Sequence, residues 1–277
     1  LYQIVGALLT VLIFGMNIES APIDGLRLMT MAGQILFILL PALLFSKWIY
    51  SDVGKIIRIR KPDWTEIGLF VIGIVIITPL LQSFIYIQNY YFEILAKNSS
   101  FINSIKSFFD MMNELVEKTY GDLLKANNIL ELLLVIAVVA IVPALAEETM
   151  FRGFIQRSFE LKMKKYWAAI VTALFFALYH FNPYGLIPLF MLGAFFGFAA
   201  YKSKSLIIPV ILHFINNFSA VMLYHFIGDD ELIKTDASVN PNELSSYVIM
   251  FFSLSILFIG LIFIINKYYS SKQFAKE

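Results

Sequence analysis

The chain has no cysteine, which excludes disulfides, thiolate catalysis and cysteine-based metal sites. Charge is also scarce: Asp, Glu, Lys and Arg make up 15% of the 277 residues, and the net charge is +1. A soluble domain is about 25% charged, and a near-neutral balance gives no electrostatic footprint for a nucleic-acid partner. Only three histidines are present, so the position of each one matters. What fills the chain instead is apolar: 59% of residues are hydrophobic, 16% are aromatic, and the mean hydropathy is +0.77. This composition belongs to a membrane protein, with Phe and Tyr serving lipid-facing and interfacial positions. The opening LYQIVGALLTVLIFGMN lacks a basic n-region and a small-residue cleavage site, so it is expected to be a membrane helix and not a signal peptide.

A spanning helix needs about 20 mainly apolar residues. Eight stretches qualify, at about 1–17, 28–49, 66–88, 128–150, 166–182, 185–200, 206–227 and 245–266. The expected fold is therefore all-α, a polytopic integral membrane bundle of about eight transmembrane helices in one domain, 1–277. The fifth and sixth stretches are short and are separated by FNPYGLIP, whose proline and glycine favour a tight turn lining a cavity. Loop charge tests the count. Lys47, Lys55, Arg58, Arg60 and Lys61 fill one connection, and Arg152, Arg157, Lys162, Lys164 and Lys165 fill another. Lys202 and Lys204 follow in the next alternate loop, and Lys267, Lys272 and Lys276 lie in the tail. The intervening loops are poor in Lys and Arg. Basic loops at every second position predict both termini on the cytoplasmic side, in the cell (inner) membrane. Residues 89–127 form one long insert in which Phe101, Ile102, Ile105, Phe108, Phe109, Met112 and Leu115 recur at helical spacing. That pattern predicts an external amphipathic helix on the membrane or over a cavity, or a simple connector.

Four polar residues stand within or beside the apolar runs: Glu147, His180, His213 and Asn217. A carboxylate or imidazole in a bilayer is costly unless it faces protein or water, which makes such residues functional candidates by default. Each also has a plainer explanation. Glu147 and Glu148 could be charges capping a helix as it leaves the membrane. His180 could be interfacial, and His213 with Asn217 could merely bond neighbouring helices. Spacing bears on the choice. Glu148 and Arg152 are four apart and share a helix face, as do His213 and Asn217. The basic turn Lys162–Lys165 has Glu147 and His180 about 16 residues to either side. In an antiparallel hairpin, both then lie at nearly one depth, about 25 Å from the turn. His225 lies near the outer end of its helix and is left out of the site.

Taken in order, Glu147-Glu148-x-x-x-Arg152 with Gly153, then Phe176-x-x-x-His180, then His213-x-x-x-Asn217 resemble the CPBP family of intramembrane proteases. That family includes type II CAAX prenyl endopeptidases, abortive-infection-like proteins and bacteriocin-processing enzymes. The resemblance covers roughly 128–227, which would be the catalytic core helices. It implies that Glu147 activates water, that His180 holds and helps deprotonate it, and that His213 and Asn217 stabilise the oxyanion. Glu148 and Arg152 would support the site structurally.

The residues themselves allow the same chemistry. Hydrolysis of a peptide bond needs a base for water and donors for the tetrahedral oxyanion, and one acid, two imidazoles and one amide can supply them. No serine–base pair or intramembrane aspartate pair is apparent. A Zn2+ version of the protease, with Glu147, His180 and His213 as ligands and an open fourth position, is the close rival. The helical pair His-Glu-x-x-His is absent, and no cofactor is the preferred expectation. The expected activity is an intramembrane endopeptidase acting on a membrane protein or peptide, including CAAX-type lipidated substrates, in the lipid bilayer. The alternatives are a non-catalytic membrane scaffold or immunity protein, and a proton-relaying transporter. No repeated halves support the transporter.

Overall fold

The computed structural model describes residues 22–50, 52–227 and 240–274, with backbone alone for 115–120, 122, 273 and 274. The first expected span, 1–17, lies outside the described residues. Among those residues there is no strand. Six helices are long and apolar enough to cross a membrane. They are α1 (Ile23–Tyr50), α3 (Trp64–Asn98), α5 (Ile129–Glu160), α7 (Leu186–Ser203), α8 (Ile207–Ile227) and α9 (Leu244–Phe274, apolar to Lys272). The shorter elements are α2 (Val53–Ile57), the amphipathic α4 (Ser100–Leu124) and α6 (Lys165–Tyr179). At 15 residues α6 reaches only about 22 Å. It stops at His180 because Phe181 turns left-handed (φ 50°) and Asn182-Pro183 cannot continue the helix.

Helix α3 runs ten residues past its expected end at 88. Nothing in QNYYFEILAKN breaks a helix, and Glu93 and Lys97 pair at 2.8 Å one turn apart. The break comes at Ser99, whose extended backbone and hydroxyl cap α4 by accepting from the Ile102 N–H. The amphipathic helix of the insert is thus confined to Ser100–Leu124. Its Phe109 joins Phe92 of α3 and Tyr184 of the α6–α7 turn in a cluster of three rings, with centroids 5.7–6.0 Å apart.

The main core is built from α3, α7, α8 and α9, where Phe70, Ile74, Phe196, Leu212 and Ile265 are wholly buried or nearly so. Lipid tails give helices no hydrophobic reason to associate, so close approach depends on small residues. Gly193 and Gly197 of α7 provide it: a Cβ on Gly197 would sit 2.9 Å from the Ala169 Cβ of α6. The segments 54–60, 157–165 and 204 gather around one end of the bundle. There Lys272 of α9 also meets Asp63 at 2.5 Å and Glu66 at 3.1 Å. The alternate basic loops therefore share one end of the molecule.

Candidate active site

Helix α5 carries the acidic residues, and its backbone is irregular on both sides of them. Wide π-helical turns run from Ala137 to Ile141 and from Thr149 to Ile155, a deviation that recurs at functional sites. Between them, Pro143 has no N–H to give the Val139 carbonyl four residues back. Asn217 of α8 supplies a donor instead, its Nδ2 lying 2.9 Å from that carbonyl. Asn217 Oδ1 accepts from Asn216 Nδ2 at 3.2 Å. Asn217 therefore has one amide N–H committed to joining α8 to α5, and one beyond that bond.

The two glutamates diverge. Glu148 is fully buried and bonded twice at 2.7 Å through Oε1, by Arg152 Nη1 and by His213 Nδ1. Arg152 donates a further bond to the Gly193 carbonyl at 3.0 Å and lies 4.4 Å over the Phe176 ring. Glycine at 193 is what admits it, since a Cβ there would stand 3.3 Å from Arg152 Nη2 and 3.1 Å from Phe176. One turn further along, buried Gln156 repeats the device on the Gly197 carbonyl at 3.1 Å. This ladder fixes α5 on α7 and holds Glu148 rigid.

Glu147 faces elsewhere. It is 7% exposed, and its Oε2 is buried without a hydrogen-bond partner. His180 Nε2 stands 3.8 Å from that oxygen. The His180 ring is fixed from its other side, where Nδ1 lies 2.7 Å from the Phe176 carbonyl. A carbonyl only accepts, so Nδ1 bears the proton and a neutral ring presents Nε2 as an acceptor. A carboxylate oxygen and an imidazole nitrogen thus face one another across a gap too long for a direct bond and suited to one bridging water. Glu147 is about 20 Å along α5 from Glu160 at the basic end and about 27 Å from Ile129 at the other, so the pair sits near mid-bundle. His225 is exposed and meets the Phe226 ring edge-on.

His213 is buried, and its Nδ1–H is given to Glu148. Any further donation must come from Nε2, which bears a proton only in the imidazolium. Among the described residues, no group of three or more His, Asp or Glu that could hold an ion is found, and the Nδ1 of His213 is already committed to Glu148. Two contributors were not foreseen from sequence. Gln156 follows Arg152 at the same four-residue spacing, and Gly193-x-x-x-Gly197 marks a close helix approach; both signals were available.

Six long apolar helices among the described residues, with polar groups buried between them, mark an integral membrane protein. Residues 129–219 match the family described as type II CAAX prenyl endopeptidase Rce1-like, and the match supports assignment to the CPBP/CAAX protease family. It covers one third of the chain, from the start of α5 into α8, and supports a CAAX-type intramembrane endopeptidase in general terms. No curated protein and no solved structure matches the chain.

Proposed function

We propose that the chain is an endopeptidase that hydrolyses peptide bonds of membrane-associated substrates, with helices 128–227 as its catalytic core and no metal. The observation that carries this reading is the Glu147–His180 pair, 3.8 Å apart with a buried, unbonded carboxylate oxygen. A water between them gives one hydrogen to each acceptor and turns its lone pairs outward to the scissile carbonyl. As its oxygen attacks carbon, Glu147 takes the proton and His180 keeps the water oriented. The tetrahedral oxyanion is met by the second Asn217 N–H and, in the imidazolium form, by His213 Nε2–H. Glu147 then returns the proton to the leaving nitrogen as the C–N bond breaks, and the products are a carboxylic acid and an amine, which exchange the remaining water proton to become carboxylate and ammonium. Glu148 and Arg152 act by positioning His213. The enzyme resides in the inner membrane with its basic end and both termini cytoplasmic, and CAAX-type lipidated proteins are within its substrate class.

The test is cleavage of a panel of membrane-anchored peptides in liposomes, with and without phenanthroline. Loss of the base is expected to reduce the rate at least about a hundredfold in Glu147→Ala. His213→Ala should also lose most activity, and both variants should remain folded and inserted. Cleavage surviving both substitutions would place the site elsewhere. Inhibition by chelator, reversed by Zn2+, would replace the metal-free mechanism.

A further inference from the structure

Far from the proposed centre, at the basic end, the bundle carries an open pocket of about 420 Å³. Its walls come from three connections: Lys55, Arg58 and Arg60 after α1, Arg157 and Lys165 around the α5–α6 turn, and Lys204 between α7 and α8. The one carboxylate in the lining is Glu160. Its side chain is fully buried and already saturated, 2.7 Å from Arg58, 3.2 Å from Arg157 and 3.0 Å from Gln156 Nε2. Glu160 thus holds two guanidiniums in place without neutralising the wall. Arg60 also pairs with Glu66, at 2.7 Å. Lys55, Lys165 and Lys204 are exposed, and among the described residues none of them is recorded in an ion pair.

The walls are built to a fixed shape. Leu206 N–H donates to the Arg58 carbonyl at 3.1 Å, Arg60 Nε donates to the Ser203 carbonyl at 2.9 Å, and Ser205 Oγ donates to the Arg60 carbonyl. Arg58 (φ 60°) and Lys204 (φ 53°) are both left-handed, a conformation in which glycine or asparagine is the unstrained choice. Both are the left-handed caps that end α2 and α7, so two long cations are set at fixed points facing one pocket.

We propose that this pocket binds a phosphate group. Guanidinium forks match phosphate oxygens bidentately, and flexible ammonium groups complete the charge. Its level suits a lipid headgroup. All three tryptophans of the chain, Trp48, Trp64 and Trp167, stand exposed at the end of α1 and the starts of α3 and α6, around this end. Exposed tryptophans of this kind mark the membrane–water interface, and basic pockets at that level recognise anionic headgroups. Free phosphate carries the same chemistry, so the test separates the two sources.

The full chain in neutral detergent is titrated with short-chain phosphatidylglycerol, with phosphatidylcholine of the same chain length, and with inorganic phosphate. Each cation near the surface contributes about fivefold, so Lys55→Gln/Lys165→Gln should weaken phosphatidylglycerol binding about 25-fold. Lys204→Gly should weaken it about fivefold while raising the melting temperature, because glycine relieves the left-handed strain. Phosphatidylglycerol bound without competition from inorganic phosphate assigns the site to a headgroup. Inorganic phosphate that binds and competes assigns it to the free ion. The proposal is overturned if neither phosphatidylglycerol nor inorganic phosphate binds. It is equally overturned if Lys204→Gly gains stability and both variants bind as the wild type does.

Discussion

Replacing Arg152 by methionine keeps the side-chain length and removes the charge. Glu148 and Arg152 are both fully buried and 2.7 Å apart, so the substitution leaves a carboxylate in an apolar interior with His213 as its one remaining partner. Breaking a buried pair from one side costs about 3–5 kcal/mol. At about 2–4 °C per kcal/mol for a chain of this size, the melting temperature should fall by roughly 10 °C. Glu148→Gln in the same background removes the stranded charge and still accepts from His213 Nδ1. The double variant should therefore be more stable than Arg152→Met alone, although it carries one substitution more. The assay is heating in detergent followed by size exclusion, read as the fraction remaining monodisperse, for wild type, both singles and the double. The reasoning fails if the double loses the sum of the two singles to within about 0.5 kcal/mol, since that additivity marks sites that do not interact.

Asn217→Ala strands the Val139 carbonyl and should cost about 1–3 kcal/mol of stability as well as slowing cleavage; Asn217→Asp, which keeps an acceptor but no N–H donor, should be no better by the same thermal assay. Gly197→Ala places a methyl 2.9 Å from Ala169 and 3.0 Å from Gln156 Oε1, and the overpacking should cost about 1–3 kcal/mol. Gly68→Ala meets nothing within 4 Å and serves as the neutral control. At the basic end, bonding to Lys272 holds the Asp63 carboxyl down from 3.8 to about 2, with the Glu66 N–H and Tyr268 also facing it. A lowered carboxyl stabilises the fold above its unfolded value, and that contribution fades as pH falls toward 2. The stability difference between wild type and Asp63→Asn should therefore be constant above about pH 5 and shrink below about pH 4.

The sequence made the helices legible because twenty-residue apolar runs have few alternative readings in a membrane. It also made the depth of Glu147 and His180 legible, since both lie about equally far from one tight turn. Helix ends were harder. The extension of α3 to Asn98 depends on an exposed Glu93–Lys97 pair, which hydropathy scores as the end of a span. The partner of His213 was not legible at all. Four-residue spacing links it to Asn217 within its own helix, whereas its bond goes to Glu148, 65 residues away. That contact requires α5 and α8 to be neighbours, which no local pattern states. The wide turns of α5 were hidden for a related reason: one extra residue per turn leaves an apolar run looking uninterrupted.

The bond from Asn217 to Val139 bears on how the molecule is assembled in the membrane. Helix α5 is synthesised well before α8. Until α8 arrives, Pro143 leaves a carbonyl without its helical donor, in the helix that also carries Glu147, Glu148 and Arg152. In hydrocarbon that carbonyl has no solvent to turn to. Helix α5 is therefore unfinished as an isolated span, and the seventy or so residues that follow it supply what is missing. Truncation before α8 should leave α5 poorly retained in the bilayer, so that insertion and completion of the centre become one event late in synthesis.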